Sequence, residues 1–181
     1  MKKLIVLCVL LFSVQAIGDD LGKFSGGIVY GPKAAFQICA PKDWVLDNSS
    51  GLAQGLHCVL YPQGKTWRNT CVGMYAKIAS PEYPHKDEFI RFAIDSFKKD
   101  DPKFSYRKIA DGKTSEGFAY TMYEYIRPTY SHYERVVYIQ LPEAVAYIVF
   151  TSFKDEIYKA YSEKLDEVLD SFKYRPEYIK K

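Results

Sequence analysis

The sequence predicts an α+β fold, with an antiparallel sheet of about six to eight strands flanked by two main helices. Three observations predict it. Short runs rich in Val, Ile, Tyr and Phe recur between turn residues, as strands do in a meander. Two longer segments, residues 81–101 and 154–172, switch to helical apolar spacing. The order is strands, helix, strands, helix, without the strict alternation of strand and helix that builds a parallel sheet.

Gly27–Gly31 is a weak first strand, and Ala34–Ala40 is a firmer one closed by Pro41. Residues 42–54 hold Asp43, Asp47, Asn48, Ser49, Ser50 and Gly51 and read as a loop. Gly55–Tyr61 and Thr70–Ile78 are the next strands, joined by a turn at Pro62-Gln63-Gly64-Lys65. In the first helix Phe89, Phe92, Ala93, Ser96 and Phe97 share a face, with Ile90 and Ile94 beside them. Asp87 and Glu88 open it, Lys98 and Lys99 close it, as the helix dipole favours, and Pro102 stops it. Phe104–Ile109 leads to a turn at Asp111-Gly112-Lys113, and Gly117–Arg127 and His132–Leu141 end at prolines. In Val145–Phe153 the residues Ala146, Ile148 and Phe150 alternate with Val145, Tyr147 and Val149, so both faces are apolar and both are covered. Ile157, Tyr161, Leu165, Val168 and Phe172 form the stripe of the last helix, and residues 173–181 are a charged tail.

The chain opens with Lys2 and Lys3, an apolar run from Leu4 to Phe12, and Val14-Gln15-Ala16, the pattern of a secretory signal peptide. A membrane anchor needs about 20 apolar residues, and Gly18-Asp19-Asp20 ends this run early. Cleavage is expected after Ala16 or Gly18. Residues 1–18 are then the signal and 19–181 a single domain, periplasmic or secreted and not membrane-spanning. Cys8 follows the bulky Leu7 in mid-run and is lost with the signal. Removing Lys2 and Lys3 lowers the formal charge from +3 to +1, which argues against a nucleic-acid partner, since such proteins present a concentrated basic face.

Phe36-Gln37-Ile38-Cys39-Ala40-Pro41-Lys42-Asp43-Trp44 reads F-x-I-x-x-P-x-x-W, a strand delivering into a Pro-then-Trp turn. With the element order, this segment resembles the PsbP-like superfamily of extracytoplasmic domains over about residues 24–175. The resemblance implies a central antiparallel sheet flanked by helices and a non-enzymatic accessory role. It brings no catalytic residue.

Cys39, Cys58 and Cys71 remain after processing, in a compartment that favours disulfides. A hairpin centred between Gly64 and Lys65 would set Cys58 opposite Cys71, within reach of a disulfide. A loop centred between Asn48 and Ser49 would instead pair Cys39 with Cys58. In the third reading all three are small buried hydrophobes.

No G-x-S-x-G, H-E-x-x-H, paired C-x-x-C or phosphate-cradling glycine pattern is present, and no cofactor or metal is expected. His57, His85 and His132 are scattered. Tyr120, Tyr123, Tyr125 and Tyr133, with Glu124 among apolar neighbours, are the candidate binding surface; Tyr130 and Tyr138 belong to the same tyrosine-rich segment, and Arg127 and Trp67 are further candidates elsewhere. Tyrosines also pack across strands for structural reasons alone. The function expected is an exported, non-enzymatic domain that binds a partner protein or small ligand in the cell envelope, or serves as an assembly factor there. The alternative is a hydrolase or metal-dependent enzyme with a site near Glu124 and His132.

Overall fold

The computed structural model describes residues 26–179; the expected signal segment lies outside them. The strands are β1 (Gly26–Tyr30), β2 (Ala35–Cys39), β3 (Trp44–Asp47), β4 (Val59–Pro62), β5 (Val72–Ile78), β6 (Ser105–Lys113), β7 (Ala119–Arg127), β8 (His132–Gln140), β9 (Val145–Ser152) and β10 (Lys173–Tyr174). The helices are α1 (Lys86–Asp100), α2 (Asp155–Tyr161) and α3 (Lys164–Asp170). Seven strands form an antiparallel sheet in the order β3-β4-β5-β9-β8-β7-β6, and β1-β2-β10 form a second, small one. This is the α+β class expected.

The large sheet is covered on both faces, and β9 shows why its sequence is apolar on both. Ala146, Ile148 and Phe150 face the small sheet with α2 and α3, while Val145 and Val149 face α1. The F-x-I-x-x-P-x-x-W segment supplies one anchor of the first core. Phe36 and Ile38 are fully buried, Phe36 stacks on Phe172 at 5.2 Å, and the backbone N–H of Trp44 closes a turn onto the Pro41 carbonyl. Trp44 then packs on Phe150 at 6.4 Å. Each such buried side chain contributes about 1.5–3 kcal/mol.

Several elements differ from the sequence expectation. Residues 44–47, read as loop, are the edge strand β3. The turn formers bracket it, Asp43 in the left-handed region (φ 65°) and Asp47 accepting from the hydroxyls of Ser49, Ser50 and Tyr61. β6 runs through the expected turn to Lys113 by means of a bulge between Lys108 and Ala110. The last helix breaks at Ser162–Glu163, so that Tyr158, and not Tyr161, faces the core. The tail begins with the short strand β10, laid against β2.

The β4–β5 connection spans residues 63–71, and its register pairs Val59 with Tyr75 and Leu60 with Met74. The pairing is therefore centred well beyond Gly64–Lys65. Cys58 lies opposite Ala76, to which its carbonyl is bonded, and not opposite Cys71. Cys39 cannot oppose Cys58 either, because β2 and β4 belong to different sheets. Among the described residues Cys39, Cys58 and Cys71 are free thiols, which corrects the expected Cys58–Cys71 bond.

Candidate functional site

Side chains alternate along a strand, and directly opposed residues share a face. In β7 and β8 this places Met122, Glu124 and Ile126 with Val137, Arg135 and Tyr133 on the side of α2 and α3. Tyr123, Tyr125 and Arg127 lie with Val136, Glu134 and His132 on the side of α1. Glu124 and His132 therefore stand on opposite faces of the sheet, and the enzyme site that would join them is not formed.

Glu124 is committed to structure. The Tyr158 hydroxyl donates to Oε2 at 2.8 Å and Arg107 Nη2 donates to Oε1 at 3.1 Å, so the carboxylate ties β6, β7 and α2 together. Tyr133 packs on Tyr158 at 6.0 Å, and Tyr120 is half-buried on the same side. Tyr123 and Tyr125 belong to the other side, where their rings stack at 5.8 Å. The expected tyrosine surface is thus divided by the sheet itself.

On the α1 side, at the end of the sheet where β7 turns into β8, lies a cleft of about 660 Å³. The β4–β5 connection brings Trp67 and Arg68 to it, α1 brings Phe97, and β9 with its following turn brings Thr151 and Phe153. Arg127, His132 and Glu134 form the polar part of its wall. Trp67 lies against β5 because residue 73 is glycine: a Cβ there would stand 2.5 Å from the indole Cζ3 and 3.2 Å from the Leu60 carbonyl oxygen. The indole Nε1 donates to Gln54 Oε1 at 2.9 Å and fixes the ring.

Arg127 is held by the C-terminal end of α1. Its guanidinium pairs with Asp100 and lies between the rings of Phe97 (4.9 Å) and Tyr130 (4.6 Å). Its Nε is buried without a hydrogen-bond partner. Next to Asp100, the buried Asp101 accepts from the Thr129 hydroxyl at 2.7 Å and the Lys103 backbone at 2.9 Å, which pins the β7–β8 turn to the helix end. Burial pushes the Asp101 carboxyl up, but the hydrogen bonds from Thr129 and Lys103 outweigh it and hold the group below the usual range.

His132 stacks on Phe153 with ring centroids 5.0 Å apart, and its Nε2 touches Thr151 Oγ1 while lying 3.5 Å from Glu134 Oε1. Burial lowers the imidazole pKa to about 4, with the Arg127 charge acting the same way. Burial raises Glu134 to about 7, the Arg127 charge opposing it. The separation would suit an ion pair, yet the lack of water favours the neutral form of each group. The arrangement is also not a catalytic relay. A relay uses one imidazole nitrogen for the hydroxyl and the other for the acid, whereas here Thr151 and Glu134 approach the same Nε2.

Behind this cleft, under α1, is a second hollow of about 200 Å³. Tyr75, Phe89, Phe97, Tyr125, Tyr138 and Tyr147 supply its rings, and Glu134, Tyr75 and Phe97 also line the outer cleft. The Tyr125 and Tyr138 hydroxyls bond each other at 3.0 Å. Burial, reinforced by the Glu134 charge, holds Tyr75, Tyr125, Tyr138 and Tyr147 above the ordinary phenol range. The helix face over the hollow is the stripe read from the sequence, Phe89 to Phe97. Its central residues, Ala93 and Ser96, are small and leave the space, while Ile90 and Ile94 make the close contact with the sheet. Alternation already put Glu134 on one strand face with His132, but it was not singled out as a site residue although it carries the same signal as Glu124, a charge on the apolar face of a strand.

Among the described residues no three His, Cys, Asp or Glu side chains gather as metal ligands, and no helix is long and apolar enough to cross a membrane. No protein-family model matches the sequence, and no curated protein matches it. Solved structures do. One is the cyanobacterial PsbP (CyanoP) of Synechocystis sp. PCC 6803, with a TM-score of 0.52 and 13% identity, covering 86% of this chain and 95% of that one. Another is LpqN of Mycobacterium tuberculosis, a protein involved in cell envelope biogenesis, with a TM-score of 0.52 and 12% identity, covering 83% and 91%. Identities this low speak for the fold and not for the chemistry. The chain has the PsbP-like fold, as the F-x-I-x-x-P-x-x-W segment and the element order led us to expect.

Proposed function

We propose that the chain is an exported accessory domain that holds a small ligand across the outer cleft and the adjoining hollow under α1, and that it performs no chemistry on that ligand. One observation carries this reading: the polar side chains of Arg127, His132 and Glu134 converge in an aromatic-walled cleft. Arg127 Nε is buried without a hydrogen bond, and beside it Glu134 is buried with His132 as its polar neighbour. The unpartnered Nε costs about 1–3 kcal/mol, and Glu134 is held out of water at a further cost that a polar ligand can offset. Apolar walls with a few convergent polar groups are the ordinary composition of a small-molecule site. The shared use of His132 Nε2 supports binding over catalysis. Export rests on the signal pattern of residues 1–18, and an envelope setting accords with the description of LpqN.

A saturation-transfer NMR screen of small fragments against the purified chain tests the reading, with Ser96→Leu as the comparison because it fills the hollow without altering a charge. Fragments that bind the wild type and bind Ser96→Leu at least about tenfold more weakly support it. An identical set bound by both proteins places the ligand elsewhere. No fragment binding, together with capture of an envelope protein, would replace the small ligand with a partner protein.

A further inference from the structure

Building on that reading of the cleft as a ligand site, we infer that the ligand is a small organic cation, with its ammonium group seated in the inner hollow under α1, Glu134 as counter-ion and the surrounding rings as its wall. The two hollows differ in charge. The outer cleft carries Arg68 and Arg127, but no basic residue lines the inner one, where Glu134 is the sole carboxyl group among Tyr and Phe rings. Ring faces are electronegative and attract a desolvated cation, and a carboxylate at the same place gives it a formal counter-charge.

The protein leaves that role open. His132, the polar neighbour of Glu134, is neutral near pH 7, and Arg127 is already shared between Asp100 and two rings. A carboxylate that the Arg127 charge compensates only in part is costly in such surroundings, and an incoming cation offsets the cost. A neutral apolar ligand would gain nothing from Glu134 and would desolvate it further. Taking about 30 Å³ as the share of one water, the hollow of about 200 Å³ has room for a group the size of choline.

Charge also sets the pH dependence. Tyr75 from β5, Tyr125 from β7, Tyr138 from β8 and Tyr147 from β9 stay phenolic, the Arg127 guanidinium keeps its charge as arginine does in proteins, and His132 stays neutral. The α1 residues over the hollow do not titrate. Glu134 alone changes charge between pH 6 and pH 8, its pKa lying at about 7. Cation affinity then rises by up to about tenfold across that interval.

The experiment is isothermal titration of the full chain with choline and with its uncharged isostere, 3,3-dimethylbutan-1-ol, at both pH values. Choline is expected to bind at least about tenfold more tightly than the isostere at pH 8, to lose most of that preference at pH 6, and to lose it at both in Glu134→Gln. Equal affinity for the two compounds overturns the inference, as does choline binding that ignores both pH and Glu134→Gln. The pH series needs no variant, so a failure of Glu134→Gln to fold does not blunt the test. If choline does not bind at about 10 mM while other fragments bind in a Ser96-dependent way, the cation falls and the ligand site stands. If Ser96→Leu leaves all fragment binding unchanged, the site falls as well.

Discussion

Glu134 and His132 should write opposite slopes into the pH dependence of stability. The folded-state pKa of Glu134 is raised from 4.5 to about 7. Its contribution is thus fully present below the unfolded value and is lost as pH rises through 7. The folded-state pKa of His132 is lowered from 6.5 to about 4. Its contribution is present above 6.5 and is lost as pH falls through 4. A tenfold change in proton affinity on folding corresponds to about 1.4 kcal/mol, so each group is worth about 3 kcal/mol over its full range. Between pH 4.5 and 6.5 the two slopes cancel, and the pair adds almost no pH dependence. Glu134→Gln removes one slope. Relative to wild type, its unfolding free energy should climb by about 3 kcal/mol between pH 4.5 and 7. His132→Gln should fall relative to wild type by a similar amount between pH 4 and 6.5. Urea denaturation at half-unit steps measures both, and groups common to the three proteins drop out of the differences. A Glu134→Gln difference curve flat to within about 0.5 kcal/mol would show that the carboxyl is not held out of water and would refute Glu134 as a buried group awaiting a ligand.

Tyr125→Phe strands the buried Tyr138 hydroxyl and should cost about 1–3 kcal/mol in urea denaturation, against less than about 0.5 kcal/mol for the half-buried Tyr123→Phe. Gly73→Ala drives a methyl into the Trp67 ring. The indole should leave β5, with an emission shift to longer wavelength and about 1–3 kcal/mol of lost stability; unchanged emission would mean that the ring does not rest there. In the folded protein a thiol reagent should modify the half-buried Cys39 and Cys71 but reach Cys58 only on unfolding, since burial, with Asp47 adding, pushes its thiol up to about 12. Non-reducing peptide mapping that links Cys58 to Cys71 would contradict the register of β4 and β5.

Alternation within one strand was legible in the sequence, as the two apolar faces of β9 show. Relations between strands were not, because they depend on the residue count of each connection. The β7–β8 turn, Pro128–Ser131, sets Arg127 opposite His132 and so puts Glu124 and His132 on different faces. One residue more would have reversed that parity. The long β4–β5 connection moved the register in the same way and removed the expected disulfide. Short elements such as β3 and β10 carry too few residues for a period to show, and neighbouring contacts decide them. The site was half visible: Arg127, Trp67 and Tyr125 stood out as residue types, but the hollow exists because α1 lays Ala93 and Ser96 over a cluster of rings.

The central claim is that ligand binding belongs to the α1 face of the sheet. The most direct test follows the Tyr and Phe ring resonances as the tightest-binding fragment of the screen is titrated into the labelled protein. Shifts in Phe97, Tyr125, Tyr138 and Tyr147, with Tyr120, Tyr133 and Tyr158 unmoved, are the predicted result. Shifts confined to Tyr133, Tyr158 and their neighbours around Glu124 would put the site on the opposite face and contradict the account.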